Sequence, residues 1–305
     1  MIELNGIYAP AVTPFDPVTG EVDVVAMRKN VRAWLSAPLA GLVLFGSTGE
    51  GLLLDEEERV RLLSSARELM GGGQHLLAGT GAESTRATLR LTRAAADAGA
   101  DAALVHPPAY YKPQMTPEAL RDHYLAVADA SPIPIILYQI PPRYSGVELP
   151  PGLVGELSRH PNIVGIKDSS GDLKTLGAFV DACDRSCRVL VGNGAVLFGA
   201  LEVGARGGIL AVSLLMPREC ADIFRLRESG EHAAAGRLQE RVAPVHRAVV
   251  GALGVSGIKA ALDMLGLVGG PPRSPLKPLR AKEQESVRAA LEQGGLSREE
   301  HRRGS

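Results

Sequence analysis

Lysine is scarce in this 305-residue chain, seven against 26 arginines, and cysteine is scarcer still, at three. Cys183 and Cys187 stand four apart and Cys220 is remote. That spacing makes neither a disulfide framework nor a paired CxxC zinc knuckle, so the three read as core or helix thiols. The seven histidines (75, 106, 123, 160, 232, 246, 301) form no HxH or HExxH spacing, which removes a metal centre from the expected functions. Net charge is nearly absent at −1, so a polyanion-binding surface or an acidic tail does not describe the whole chain. Uncharged apolar stretches such as Ile133 to Pro142 fall well short of the roughly 20 residues of a membrane span, and Met1-Ile2-Glu3 begins no signal peptide. The expectation is a soluble cytoplasmic protein with no nucleic-acid or membrane partner. A nucleotide-binding glycine turn is missing as well. The first apolar run ends in Val12-Thr13-Pro14-Phe15, and neither Gly79-Thr80-Gly81 nor Gly192-Asn193-Gly194 completes a GxGxxG, which leaves an open doubly wound sheet as the second choice of fold.

Glycine (35) and proline (21) are plentiful and recur along the chain rather than clustering in a linker. They punctuate eight apolar runs of strand length: Ile7–Val12, Gly41–Phe45, His75–Ala78, Ala102–Val105, Ile133–Tyr138, Ile163–Lys167, Arg188–Val191 and Gly208–Val212. Helix-start signals stand between them, among them Asp55 before three glutamates, Ser84, and Thr116-Pro117-Glu118. The runs are apolar on both faces, as strands of a helix-covered parallel sheet are. Eight such units in about 220 residues predict an α/β fold, a (β/α)8 TIM barrel. After Leu215 the strand pattern stops, and helical patterning near 217–229, 231–252, 255–266 and 281–293 predicts the eighth barrel helix and a C-terminal helical extension. The expected organisation is a catalytic barrel over 1–228, a helical bundle over 229–295 and a disordered tail over 296–305.

Barrel active sites lie at the C-terminal ends of the strands. Only one lysine, Lys167, ends an apolar run; Lys29, Lys112, Lys174, Lys259, Lys277 and Lys282 fall on predicted helices, loops or the tail. Low-dielectric surroundings disfavour its ammonium form and free the amine to attack a carbonyl. The plainer alternative is an ion pair with Asp168. Tyr138, ending the adjacent run, supplies a phenol able to pass a proton to and from an imine or aldol oxygen. Ser47 and Thr48, in Gly46-Ser47-Thr48-Gly49-Glu50, extend that relay or hold a carboxylate.

Together Gly46-Ser47-Thr48-Gly49-Glu50, Tyr110-Tyr111, Tyr138-Gln139-Ile140-Pro141 and Gly165-Ile166-Lys167-Asp168 resemble the dihydrodipicolinate synthase and N-acetylneuraminate lyase family over roughly residues 5–295. Within it, the stretches Leu77–Thr85, Ser131–Pro134 and His160–Ser169 are most similar to 4-hydroxy-2-oxoglutarate aldolase. The resemblance implies a class I lyase that needs no cofactor. Lys167 would form a Schiff base with pyruvate or a larger 2-oxo acid, Tyr138 would transfer protons, and Thr48 with its amide would grip the substrate carboxylate. Ser47 would link Tyr138 to Tyr111, given by the neighbouring subunit of a tight dimer within a homotetramer. Gly192 and Leu210 would line the pocket through their backbone, with Ser169 beside the substrate. Arg143 stands where synthases of this kind hold the aldehyde partner's carboxylate, in a segment that carries one extra residue. The expected reaction is cleavage of 4-hydroxy-2-oxoglutarate to pyruvate and glyoxylate. The alternative is 4-hydroxy-tetrahydrodipicolinate synthase, joining pyruvate to aspartate semialdehyde, and a non-catalytic barrel that binds a 2-oxo acid stands as the reading from another class.

Overall fold

Eight parallel strands close on themselves in chain order: β1 (Gly6–Pro10), β2 (Gly41–Leu44), β3 (His75–Gly79), β4 (Ala102–Val105), β5 (Ile135–Gln139), β6 (Ile163–Asp168), β7 (Arg188–Val191) and β8 (Gly207–Ile209). β8 returns to β1, with Tyr8 opposite Ile209. The computed structural model describes residues 2–296, except the side chains of Pro142 and Arg143. Residues 297–305, most of the expected tail, lie outside the described residues, whereas Leu296 packs against the core.

Apart from the half-buried His75 and Arg188 that open β3 and β7, every strand residue is buried, because each strand has two covered faces. Alternate side chains separate into two clusters. Tyr8, Val43, Leu77, Leu104, Ile136, Tyr138, Val164, Leu190 and Ile209 fill the barrel, while Leu42, Leu44, Leu76, Val105, Leu137 and Ile166 face the helices. Fully burying a side chain of this size stabilises by about 1.5–3 kcal/mol.

The covering helices are α1 (Val24–Leu35), α2 (Glu56–Arg67), α3 (Thr85–Asp97), α4 (Pro117–Ala130), α5 (Pro142–Ser145), α6 (Pro151–Leu157), α7 (Leu173–Ala182), α8 (Leu197–Glu202) and α9 (Pro217–Glu228). Their starts follow local chemistry. Asp23, Ser84 and Thr116 each accept a first-turn backbone N–H, and Pro117 occupies the first helical position of α4. Met27, Val31 and Trp34 on α1, and Leu120, Tyr124 and Val127 on α4, repeat at i, i+4, i+7 and bury one stripe.

Beyond the barrel, α10 (His232–Val245) widens into a π-helical segment, His246–Gly251, and continues as α11 (Ala252–Met264); α12 (Ala281–Gln293) packs on both. Gly254, at φ 58° and ψ −141°, breaks the run at the place where the sequence pattern breaks between 252 and 255. From His232 to Met264 this run is 33 residues, long and apolar enough by composition to cross a membrane, although charges interrupt it and leave no long uncharged stretch in the sequence. It is bent at Gly254 and buries Ala235, Val242, Ile258 and Leu262 against the protein, as a core helix does.

Candidate active site

Lys167 and Tyr138 are register partners on neighbouring strands, so their side chains leave the sheet on the same face, toward the barrel interior. The Lys167 Nζ lies 4.2 Å from the centroid of the Tyr138 ring, and each residue is 5% exposed. Asp168, one residue on, points to the opposite face. Its carboxylate accepts from the Ser170 N–H at 2.9 Å and hydroxyl at 2.8 Å, and burial, partly opposed by those bonds, raises its pKa. Strand alternation thus overrules the reading of Lys167 as an ion-pair partner of Asp168.

Burial alone would push the Tyr138 phenol up. The Lys167 charge, with hydrogen bonds to Ser47, Ser169 and Lys167, outweighs it and holds the phenol below its ordinary value. Three residues, Ser47 from the loop after β2, Lys167 on β6 and Ser169 just past it, therefore converge on one oxygen. Ser169 is set by its N–H, which donates to the Gln139 carbonyl at 3.0 Å, and by the bare α-carbon of Gly192. A Cβ on Gly192 would come within 1.9 Å of the Ser169 Oγ.

The loop after β2 brings the other candidates. The Gly49 and Gly51 N–H groups both donate to the Gly46 carbonyl, at 3.0 and 3.2 Å, and Glu50 adopts a left-handed φ of 54°. This folding turns the chain so tightly that the N–H groups of Ser47 and Thr48 meet no protein acceptor among the described residues. Two such donors beside a threonine hydroxyl suit a carboxylate. The loop is fixed from outside: Thr13 Oγ1 donates to the Gly49 carbonyl at 2.7 Å, and the Arg59 guanidinium bonds the carbonyls of Gly51 and Gly79.

Other expected residues sit farther out. Tyr111 is 64% exposed and stacks edge-on with Tyr110, 80% exposed, at 5.1 Å between centroids. Within one chain, Ser47 is brought to Tyr138 and Tyr111 is not. Leu210 is fully buried; its N–H donates to the Tyr8 carbonyl and its own carbonyl accepts from Ser213, so its side chain belongs to the outer core. The Gly192 N–H is taken by the Asp168 carbonyl at 2.6 Å. Arg143 lies on α5, just past the end of β5, and the direction of its side chain is outside the described residues.

Sequence reading missed a buried ion pair at the edge of this site. Lys259 on α11, set aside among the lysines on predicted helices, loops or the tail, has its Nζ 2.5 Å from Glu50 Oε1, with the two side chains 1% and 0% exposed. The available signal was its place among Ile258, Ala261 and Leu262, on the face the helix buries.

Fold and site together define a barrel lyase, one that makes or breaks a carbon–carbon bond through a lysine Schiff base. The chain belongs to the dihydrodipicolinate synthetase family, whose profile matches residues 3–294. It is 36% identical over 289 residues to the 4-hydroxy-tetrahydrodipicolinate synthase of Methanoculleus marisnigri, covering 94% of this chain and 98% of that one. It is 34% identical over 307 residues to the L-threo-3-deoxy-hexylosonate aldolase of Hypocrea jecorina, covering 94% and 96%. The chloride-inhibited dihydrodipicolinate synthase of Acinetobacter baumannii, crystallised with pyruvate, matches the fold at a TM-score of 0.91 and 33% identity, over 96% of this chain and 100% of that one.

Proposed function

We propose that this protein joins pyruvate to aspartate semialdehyde, the reaction of a 4-hydroxy-tetrahydrodipicolinate synthase, with Lys167 as the imine-forming residue. The observation that supports the chemistry is the face-to-face register of Lys167 and Tyr138, together with the Ser47 and Thr48 amides, which meet no acceptor among the described residues. The neutral amine of Lys167 attacks the keto carbon of pyruvate, and the carbonyl oxygen leaves as water. The protonated imine draws electrons, so a methyl proton is lost and an enamine forms. Its terminal carbon attacks the aldehyde, the new alkoxide gains a proton, and the acceptor's amino group displaces Lys167 to close the ring. Tyr138 carries protons to and from the departing and forming oxygens, with Ser47 and Ser169 holding its hydroxyl. Thr48 and its amide hold the pyruvate carboxylate, Gly192 and Leu210 line the pocket, and Arg143 takes the carboxylate of the aldehyde partner.

The sequence alone ranked cleavage of 4-hydroxy-2-oxoglutarate first. Relatives of 32–36% identity named as the synthase reverse that order. Aldol cleavage remains the second reading, supported by the 34% identical aldolase. The outward Tyr110–Tyr111 pair supports a tight dimer that passes Tyr111 into the partner's site; the same reading includes assembly to a homotetramer and a place in the cytoplasm. The deciding experiment compares kcat/KM for pyruvate with aspartate semialdehyde against kcat/KM for 4-hydroxy-2-oxoglutarate. Borohydride with pyruvate is expected to fix one reduced pyruvoyl group per subunit on Lys167. Label on another lysine, or on the Lys167→Ala variant, refutes the mechanism.

A further inference from the structure

Glu50 closes the Gly46–Glu50 turn in a left-handed conformation that a residue with a side chain holds only when its surroundings fix it. Both of its carboxylate oxygens are held by the C-terminal region. Oε1 faces the Lys259 ammonium at 2.5 Å, and Oε2 accepts the Arg273 N–H at 2.7 Å. Lys259 is locked in turn, donating to the Pro271 carbonyl at 2.8 Å and lying 4.4 Å over the Phe15 ring. Arg273 covers the same ring at 4.2 Å and is bound by both oxygens of Glu58 at 2.6 Å. The ion pair is buried, and ions in such a place are costly to bury unless each has an opposite charge beside it. An apolar pair would fill the space, but it would not fix the direction of the Glu50 backbone, six residues past the end of β2 at Leu44.

We propose that Glu50 and Lys259 are positioning residues: the ion pair tethers the C-terminal helices to the loop after β2 and thereby aims the Ser47 and Thr48 amides at the pyruvate carboxylate. This rests on the reading of those amides as the carboxylate grip. The substrate carboxylate gains its hydrogen bonds only when the two N–H groups diverge from the loop in their observed directions, and a small rotation of the turn withdraws them. The consequence is a defect in pyruvate capture rather than in the chemistry that follows.

Lys259→Met and the isosteric Glu50→Gln, which keeps an acceptor for the Arg273 N–H, are compared with the unaltered protein for kcat and for both KM values. Displacement of a site by about an ångström costs up to about 100-fold, so pyruvate KM is expected to rise by about 10- to 100-fold in Lys259→Met and by a smaller factor in Glu50→Gln. The aldehyde KM should stay within about twofold, and borohydride should still label Lys167 at saturating pyruvate. The double variant should resemble the worse single one, since both break the same tether. A pyruvate KM in Glu50→Gln that matches the unaltered protein, with only thermal stability reduced, overturns the proposal, and this arm decides even if Lys259→Met fails to fold. Absence of label on Lys167 in the unaltered protein refutes the Schiff-base reading instead.

Discussion

Tyr138 and Lys167 stand directly opposite each other on β5 and β6, and the lysine nitrogen lies 4.2 Å from the centre of the phenol ring. A parallel ladder fixes that relationship with backbone hydrogen bonds alone, so the pair needs no loop to bring it together. The charge on one residue then sets the acidity of the other. The positive charge at Lys167 favours the phenolate, and the protonated imine of the proposed mechanism keeps that charge on the same nitrogen.

Removing the hydroxyl tests that coupling. Tyr138→Phe is expected to keep some Schiff-base formation and to slow turnover by about 100- to 10,000-fold, the usual worth of a positioned acid–base group. The phenol is held below 10.0 in the folded protein, so the alkaline limb of kcat/KM should fall below that of free tyrosine. Ser47→Ala removes one of the contacts that lower it and should move the limb to higher pH. A pH–rate profile of the two proteins checks the direction, and unchanged turnover in Tyr138→Phe removes it from the relay.

Gly192 offers a steric test with an internal control. An added methyl group would sit 1.9 Å from the Ser169 Oγ and 3.1 Å from the Asp168 carbonyl, so Gly192→Ala must displace Ser169 from Tyr138. At Gly152, in α6, nothing lies within 4 Å of the added carbon, and Gly152→Ala should raise stability by up to about 1 kcal/mol through helix propensity. The expected result is a loss of kcat in the first variant and full activity with a slightly higher Tm in the second. Equal activity in both would detach Ser169 from the reaction.

The barrel was legible in the sequence because burial on both faces writes an uninterrupted apolar run at every strand. The errors are local and have local reasons. β5 begins at Ile135 rather than Ile133 because Pro134 cannot donate to the ladder, and β8 ends at Ile209 because the chain turns into a short 3-10 helix at Ala211–Leu214. Lys167 was legible for the same reason, as a charge ending an apolar strand. Glu50 and Lys259 were not: one sits in a loop motif, the other some 200 residues away on a helix, and only the closed tertiary structure brings them together. Ser169, and Gly192 as a pocket-lining position, had meaning only through the family resemblance, since serine and glycine are ordinary turn residues.

Arg143 separates the two candidate reactions. If it binds the carboxylate of the second substrate, Arg143→Ala should raise the aldehyde KM by about 10- to 100-fold, the loss of a charge-assisted contact worth about 1.5–3 kcal/mol, while pyruvate KM stays nearly constant. Steady-state kinetics with aspartate semialdehyde reads this directly. An unchanged aldehyde KM means that the extra residue in Pro142–Gly146 turns Arg143 away, and the aldolase reading gains.

Sensitivity to free lysine follows from the surface beside the loop after β2. By resemblance, lysine-regulated synthases bind the amino acid at the tight-dimer interface, with polar groups just after that loop and the first tyrosine of the tandem pair, here Tyr110. This chain has Leu52, Leu53 and Leu54 there; Leu52 is 75% exposed, whereas Leu54 is buried in the core. The two acids able to attract the effector's ammonium are already engaged. Glu56 pairs with Arg90 at 2.8 Å, and Glu58 is gripped by Arg273 and by the Asp55 N–H, which hold its carboxyl below the usual range against the opposing effect of its partial burial. Bringing a zwitterion against leucines without partners costs several kcal/mol, so millimolar L-lysine is expected to leave activity unchanged. Initial rates across a lysine titration, with calorimetry on the same samples, check this. Inhibition with a binding heat that vanishes in Tyr110→Ala would show that the leucines still leave a polar site at the interface.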